Sequence, residues 1–269
     1  MNGITSVLDD KLRQLRLFCR NAPYLFFGAP DGLPIPPLKL RALIWGPNAD
    51  LRTFFRGRDD WKRIPDLLTL LRRNGVRLEK LQAILDFGCG CGRDLRQFYR
   101  LDSALTARLY GTDINQEQID WCARNLKFAE FCVNPPDPPL MYAVEQFDLI
   151  YNYSVFTHLS EVQQEAWIME LERVLKPGGH LMLTVCGESY IHELTESQKA
   201  QFRSGRLVVR HEELSGKPSE YGACAAYHPA RFVKENLAAA FEIVNFIPGQ
   251  TSIPGSMDQY LLKKPAARP

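Results

Sequence analysis

Long apolar runs are missing from this 269-residue chain. The longest, such as residues 181–186, fall far short of the roughly 18–20 that span a bilayer, so no transmembrane helix and no membrane partner are expected. An excess of either charge is missing too: 33 Lys and Arg face 31 Asp and Glu, a formal net charge of +2. That balance lacks the basic domain or stripe of a nucleic-acid binder, so no nucleic-acid partner is expected. Residues 1–20 have no apolar h-region and no small-residue cleavage site. Asp9, Asp10 and Lys11 stand there instead, so the stretch does not read as a signal peptide and the expected location is cytoplasmic. Paired C-x-x-C knuckles are absent. The seven cysteines, at 19, 89, 91, 122, 132, 186 and 224, are odd in number and scattered through apolar segments, which argues against a disulfide framework or a structural zinc, and no metal is expected. Cys89 and Cys91 lie among glycines and read as small residues in a tight turn. What remains is the composition of a soluble globular protein, 45% hydrophobic, 24% charged and 11% aromatic.

Proline crowds residues 23–47, which therefore read as irregular chain. Before it, Leu8, Leu12, Leu15 and Phe18 recur at helical spacing and predict a helix over about 6–20. After it, Asp59 or Asp60 is placed to cap a helix through Trp61, Ile64, Leu67, Leu68 and Leu71, starting or kinking at Pro65. From residue 82 short apolar runs alternate with amphipathic helices, the rhythm of a parallel sheet built from β-α units. Strands are expected at 83–87, 109–112, 130–133, 147–151 and 181–185. Asn115 is placed as an N-cap, Ser160 and Gln163 form a capping-box signature, and Lys176-Pro-Gly-Gly179 ends the following helix. Residues 187–228 break the rhythm and read as an insertion, in which an exposed position is the default for His192, His211 and His228. A helix near 229–240 and strands at 241–246 and 259–263 close the chain. The chain thus divides into an N-terminal helical and Pro-rich lid segment, 1–75, and a ligand-binding domain, 76–269, carrying the insertion.

The most informative stretch is Ile84-Leu-Asp86-Phe-Gly88-Cys89-Gly90-Cys-Gly92-Arg93, three alternate glycines between a strand and a helix. Glycine is needed where backbone turns tightly and approaches a ligand with no Cβ in the way. A dinucleotide G-x-G-x-x-G requires glycine where Arg93 stands, and a Walker loop requires Gly-Lys-Ser/Thr. Asp113, at the end of the second strand, stands where a ribose diol lies in a mononucleotide-binding half, and a carboxylate can accept from both hydroxyls.

These residues, together with Gly111-Thr-Asp113, Phe147-Asp148 through Tyr151-Asn152-Tyr153-Ser154 to His158-Leu, and Leu175-Lys-Pro177-Gly178-Gly179, resemble the class I S-adenosylmethionine-dependent methyltransferases. The resemblance covers about residues 82–185 in the family's order. It implies an α/β, Rossmann-like, doubly wound seven-stranded sheet, mostly parallel with one antiparallel strand. It also implies S-adenosylmethionine as cofactor and S-adenosylhomocysteine as product. By the same resemblance Asp86, Gly88, Cys89, Gly90 and Arg93 hold the methionine part, Asp113 binds the ribose, and Ile114 packs on the adenine. Asn134 stands where the family often has Asp, and Asn152, Tyr153 and Ser154 line the methyl donor. Asn134-Pro-Pro-Asp137 resembles the N-P-P-aromatic motif of nitrogen methyltransferases, but it follows the wrong strand and ends in Asp, so it reads as a proline turn.

Displacement at a methyl-sulfonium needs alignment and exclusion of water, and the neutral thioether leaving group needs no acid. Only a hydroxyl or ammonium nucleophile needs a base. His158, just past the fourth strand, is the first candidate, set against a helix-entry histidine bonded to backbone. Tyr153 can present its face to the sulfonium or its hydroxyl to the acceptor. Phe54, Phe55 and Trp61, with Arg52, Arg56 and Arg58 between them, read either as a helix entry packed on the sheet or as a lid. The expected activity is methyl transfer to a small-molecule acceptor, with oxygen slightly preferred because no nitrogen-specific motif is present. A protein-modifying enzyme and a cofactor-binding homologue without turnover are the alternatives.

Overall fold

The structure is a computed structural model and describes residues 2–45, 50–56, 63–99, 105–211, 224–253 and 256–266. The proposed cap at Asp59 or Asp60, Trp61 and Arg58 lie outside the described residues. Seven strands form one sheet in the order β3-β2-β1-β4-β5-β9-β8. They are β1 (Ala83–Phe87), β2 (Arg108–Asp113), β3 (Ala129–Val133), β4 (Phe147–Asn152), β5 (Leu175–Val185), β8 (Glu242–Ile247) and β9 (Asp258–Lys263). The pairings β1 to β2, β1 to β4, β2 to β3 and β4 to β5 are parallel, while β9 runs antiparallel to both neighbours. This is the mostly parallel sheet with one antiparallel strand that the sequence implied.

The chain order reverses between β1 and β4, which puts a crevice at the carboxyl ends of these strands, the usual ligand position in an open α/β sheet. Its central strands are covered on both faces. Leu85, Ile150, Leu181 and Leu183 pack with Trp167, Ile168 and Leu171 of α7 (Glu161–Val174) on one side. Ile84, Leu149 and Met182 pack with Ile64, Leu67 and Leu71 of α4 (Arg63–Arg73) on the other. Full burial on two faces is why β1 and β4 read as continuous apolar runs.

The local signals hold in detail. Asn115 caps α6 (Gln116–Asn125), its side chain accepting from the Gln118 backbone N–H, and Ser160 and Gln163 form a reciprocal capping box on α7. Four expectations are corrected. The first helix, α1, runs Asn2–Phe27 and carries Pro23 inside it. The Pro-rich stretch is not wholly irregular, because α2 (Leu38–Trp45) lies within it and starts just after Pro37, whose carbonyl accepts from Leu40 and Arg41. The fifth strand begins at Leu175, not Leu181, because Leu175 already pairs with Phe147 across a register irregularity. In the insertion, His228 is fully buried. The insertion is otherwise a 3-10 stretch at Glu188–Glu193, α8 (Glu196–Arg203) and a separate antiparallel pair, β6 (Val208–His211) with β7 (Cys224–Tyr227). After His228, α9 (Ala230–Phe232) runs on as a π-turn, Val233–Leu237.

The N-terminal segment is fastened to the helix that follows the glycine loop, α5 (Leu95–Tyr99). Arg96 donates to both oxygens of Asp31 at 2.7 Å and to the carbonyls of Leu33 and Pro34. Arg93 donates through Nε to the Phe54 carbonyl in α3 (Leu51–Arg56). Leu40 and Phe54 then pack with Cys91, Trp121 and Cys122. No helix among the described residues is long and apolar enough to cross a membrane.

Candidate active site

At the carboxyl end of β1 the chain turns through Gly88 and Gly90, both at positive φ (83° and 54°), a region open to glycine and costly for other residues. A Cβ at Gly88 would collide with Val155 Cγ2, and one at Gly90 would lie 2.8 Å from both Gln118 Oε1 and Ile44 Cδ1. The loop therefore keeps a strip of bare backbone facing the start of α6 and the end of α2. Asp113, one strand over, ties this loop down: Oδ2 accepts from the Gly90 N–H and Oδ1 from the Asn115 N–H, each at 2.9 Å. Burial raises its pKa, and those backbone donors oppose the rise. Each oxygen retains a lone pair, so the carboxylate can still accept from a pair of hydroxyls.

Beneath the loop lies a set of buried acceptors without donors. Asp86 Oδ2, Gln118 Oε1 and Asn152 Oδ1 have no hydrogen-bond partner. Asp86 is 2% exposed; burial first and Asp94 second push its carboxyl well above the ordinary range, with the neighbouring Tyr151 hydroxyl pulling the other way. Asp94 is itself raised by burial and held back by Arg63, whose guanidinium is 3.6 Å from it. Orphaned acceptors around a bare glycine strip suit a ligand that brings donors. An ammonium, a ribose diol and an adenine amino group are such donors, so the residues present fit S-adenosylmethionine.

The other expected residues fall around this loop, with different partners. Cys89 and Cys91 are buried, Cys89 in the sheet core and Cys91 under the N-terminal segment; burial pushes the Cys91 thiol up to about 12. Arg93 faces α3, and burial brings its guanidinium down to about 9. Ile114, half-buried, follows Asp113. Asn134 Oδ1 accepts from the Thr112 hydroxyl and Nδ2 donates to the Pro135 carbonyl, while its backbone N–H donates to the Asp113 carbonyl. Residues 136–138 then form a bend, with the Pro136 carbonyl accepting from the Trp167 indole. Asn152 Nδ2 donates to the Met182 carbonyl, and Ser154, at φ 62°, donates its N–H to the Thr184 hydroxyl. Tyr153 lies under the Arg63 guanidinium, 4.5 Å from ring centroid to Cζ, and its hydroxyl donates to the Arg63 carbonyl.

His158 sits on the 3-10 turn after β4 (Phe156–His158), exposed, with Nδ1 3.3 Å from the Cys224 carbonyl. A carbonyl only accepts, so this bond requires a proton on Nδ1, and in the neutral ring the lone pair is then on Nε2. Sequence reasoning missed Gln118, Ile44 and Arg63. Gln118 carried a readable signal, lying three residues past the Asn115 cap and so in the turn that faces the loop. Ile44 and Arg63 reach the site through tertiary packing alone. Among the described residues no three His, Cys, Asp or Glu side chains group as a metal site.

Residues 84–179 match a family model described as a methyltransferase domain. The chain is 26% identical over 156 residues to the tRNA N(3)-methylcytidine methyltransferase trm140 of Schizosaccharomyces pombe; the match covers 55% of this chain and spans 49% of that protein's length. Among solved structures, a SAM-dependent methyltransferase of Methanosarcina mazei is 22% identical with a TM-score of 0.51, covering 70% of this chain and 94% of that one. The 1,6-didemethyltoxoflavin-N1-methyltransferase of Burkholderia thailandensis is 17% identical with a TM-score of 0.52, covering 86% and 92%. Both share this fold.

Proposed function

With residues 84–179 forming a class I S-adenosylmethionine-dependent methyltransferase domain, we propose that this protein methylates a hydroxyl of a small-molecule acceptor. The observation that carries the reading is the joint between Gly90 and Asp113, which sets a ribose-competent carboxylate against a bare glycine strip at the strand crevice. In this reading the Gly88–Gly92 backbone and Asp86 hold the methionine end, Asp113 the ribose, and Ile114 and Asn134 the adenine. Asn152, Tyr153 and Ser154 wall the transfer point. The cofactor supplies a methyl group on a sulfonium, displaced in line with departure of a neutral thioether. The chain supplies position, exclusion of water by α2 and the buried floor, and a base. His158 Nε2, on the same post-β4 segment as Ser154, takes the hydroxyl proton, which is what an oxygen acceptor requires and a thiolate would not.

Two other observations support a nucleic-acid acceptor as the second reading. One is the matched tRNA methyltransferase. The other is charge asymmetry: residues 1–75 hold 13 Lys and Arg against 7 Asp and Glu, and the remainder 20 against 24. The test is isothermal titration with S-adenosylmethionine, S-adenosylhomocysteine and NAD, then transfer of labelled methyl to hydroxyl compounds and to bulk tRNA. Binding of the first two but not NAD is expected, lost on Asp113→Ala with the fold intact. Retained affinity in that variant refutes the site. Label in tRNA alone replaces the small-molecule reading with the second one.

A further inference from the structure

Strand β7 lies across the carboxyl end of the sheet with a histidine bond at each end. At its start the Cys224 carbonyl accepts from His158 Nδ1. At its end His228 donates its backbone N–H to the Cys186 carbonyl at 2.7 Å, continuing the parallel bridge between Cys186 and Tyr227. The His228 side chain is fully buried, and its Nε2 is 3.1 Å from Gln164 Oε1. Gln164, also fully buried, spends its amide donors on the carbonyls of Phe156 and Leu159, the residues that bracket the His158 turn. Its oxygen is therefore an acceptor, and His228 must carry its proton on Nε2. One glutamine thus joins the turn that bears His158 to the strand whose other end holds the His158 ring.

We propose that Gln164 and His228 are a positioning pair for His158: they fix β7 over the post-β4 turn, so that the Cys224 carbonyl holds His158 with its proton on Nδ1 and its Nε2 free as a base. The inference rests on reading His158 as the base of the transfer. A pair with no such task would need only to fill the core. This one satisfies three carbonyl or amide oxygens with fixed polarity.

The test is nitrogen NMR of the five histidine rings in the full chain at neutral pH, with the His158 signal assigned from a His158→Gln variant. The wild type is expected to show His158 as a single Nδ1–H tautomer. His228→Leu is expected to convert it to a tautomer mixture, and His228→Gln, whose amide N–H replaces that of Nε2, to restore the wild-type pattern. Affinity for S-adenosylmethionine should stay within about threefold in both variants, since the pair lies beside β4 and β5. A wild-type His158 protonated on Nε2 overturns the proposal, as does a folded His228→Leu variant with an unchanged His158 spectrum. If His228→Leu does not fold, Gln164→Met is read the same way. Full turnover by His158→Gln beside the expected wild-type tautomer would sink the base and leave the positioning pair standing.

Discussion

Asp86→Asn should make the protein more stable and less able to bind its cofactor. Asp86 is 2% exposed, its Oδ2 has no partner, and the charge that acts on it most is another buried carboxylate, Asp94. Its folded pKa is raised, so the folded protein keeps a proton that the unfolded chain releases above the ordinary carboxylate value. Its contribution to stability is thus fully present below that value and is lost as pH rises through the raised one. At neutral pH the folded state either strains to hold the proton or buries an uncompensated charge. The amide removes that choice at nearly constant volume. Leaving a buried acceptor unsatisfied costs about 1–3 kcal/mol, and more where it is charged, so the substitution should return at least about 1–2 kcal/mol, a rise in Tm of about 2–4 °C for a chain of this size. Thermal melts at pH 5, 7 and 8 should show the gain growing with pH, while titration calorimetry shows cofactor affinity falling at least about tenfold through loss of a charged acceptor. A variant that melts below the wild type at pH 8, or whose gain is larger at pH 5 than at pH 8, would refute the reasoning.

Gly90→Ala should cost about 1–2 kcal/mol for the left-handed backbone, since the two side-chain ends its Cβ meets can swing aside. Calorimetry should nevertheless show cofactor affinity down by more than about tenfold, because the methyl occupies the bare strip; unchanged affinity would mean that the ligand does not approach there. Burial brings His228 down to about 3 from 6.5, so the unfolded chain takes up a proton in that window and the folded one does not. Stability should therefore be lost as pH falls from 6.5 toward 3, by about 3 kcal/mol at pH 4.5, and urea unfolding of His228→Gln should lack that share of the slope. Arg96→Met leaves the buried Asp31 carboxylate without its cation, with only the Leu33 N–H donating to it, at a cost of about 3–5 kcal/mol. Limited proteolysis should then cut first within residues 28–45, and cleavage elsewhere would show that the Arg96–Asp31 pair does not hold the segment down.

What the sequence disclosed was what neighbouring residues decide among themselves. The bounds of β1 match the reading residue for residue, and the Asn115 cap and the Ser160–Gln163 box are each a contact three residues long. The same locality explains the misses. The true start of β5 depends on Phe147 opposite Leu175; the Pro-rich stretch ahead of α2 is held by Arg96, 62–65 residues away from Asp31, Leu33 and Pro34, and α2 itself packs through Leu40 on Cys91 and Trp121. His228 gives no local sign of burial. It follows a four-residue strand and precedes a proline, which describes a surface turn as well as a core position, and only Gln164, 64 residues away, makes the difference.

That division also separates the two ends of the site. In the proposed reading the cofactor end is built mainly by β1, β2 and the loops directly after them, with Asn134 added from the end of β3, so most of its residues lie within one stretch of about thirty and announce themselves as a motif. In the same reading the acceptor end is built where the post-β4 turn, the end of β5 and the inserted β7 meet, and the bonds there join residues 42 and 64–66 apart. A ligand common to a whole fold can be held by a contiguous motif, because its geometry relative to the sheet never changes. An acceptor particular to one chain must be met by whatever the insertion brings across the strand ends, and no spacing rule connects an insertion to the turn it covers. Specificity in this protein should therefore move with β7 and its two histidine bonds: exchanging residues 187–228 for the corresponding segment of another methyltransferase of this fold should change the acceptor while cofactor affinity, measured by calorimetry, stays within about threefold. Loss of cofactor binding in that chimera would mean that the two ends are not separable and that the insertion shapes the glycine loop as well.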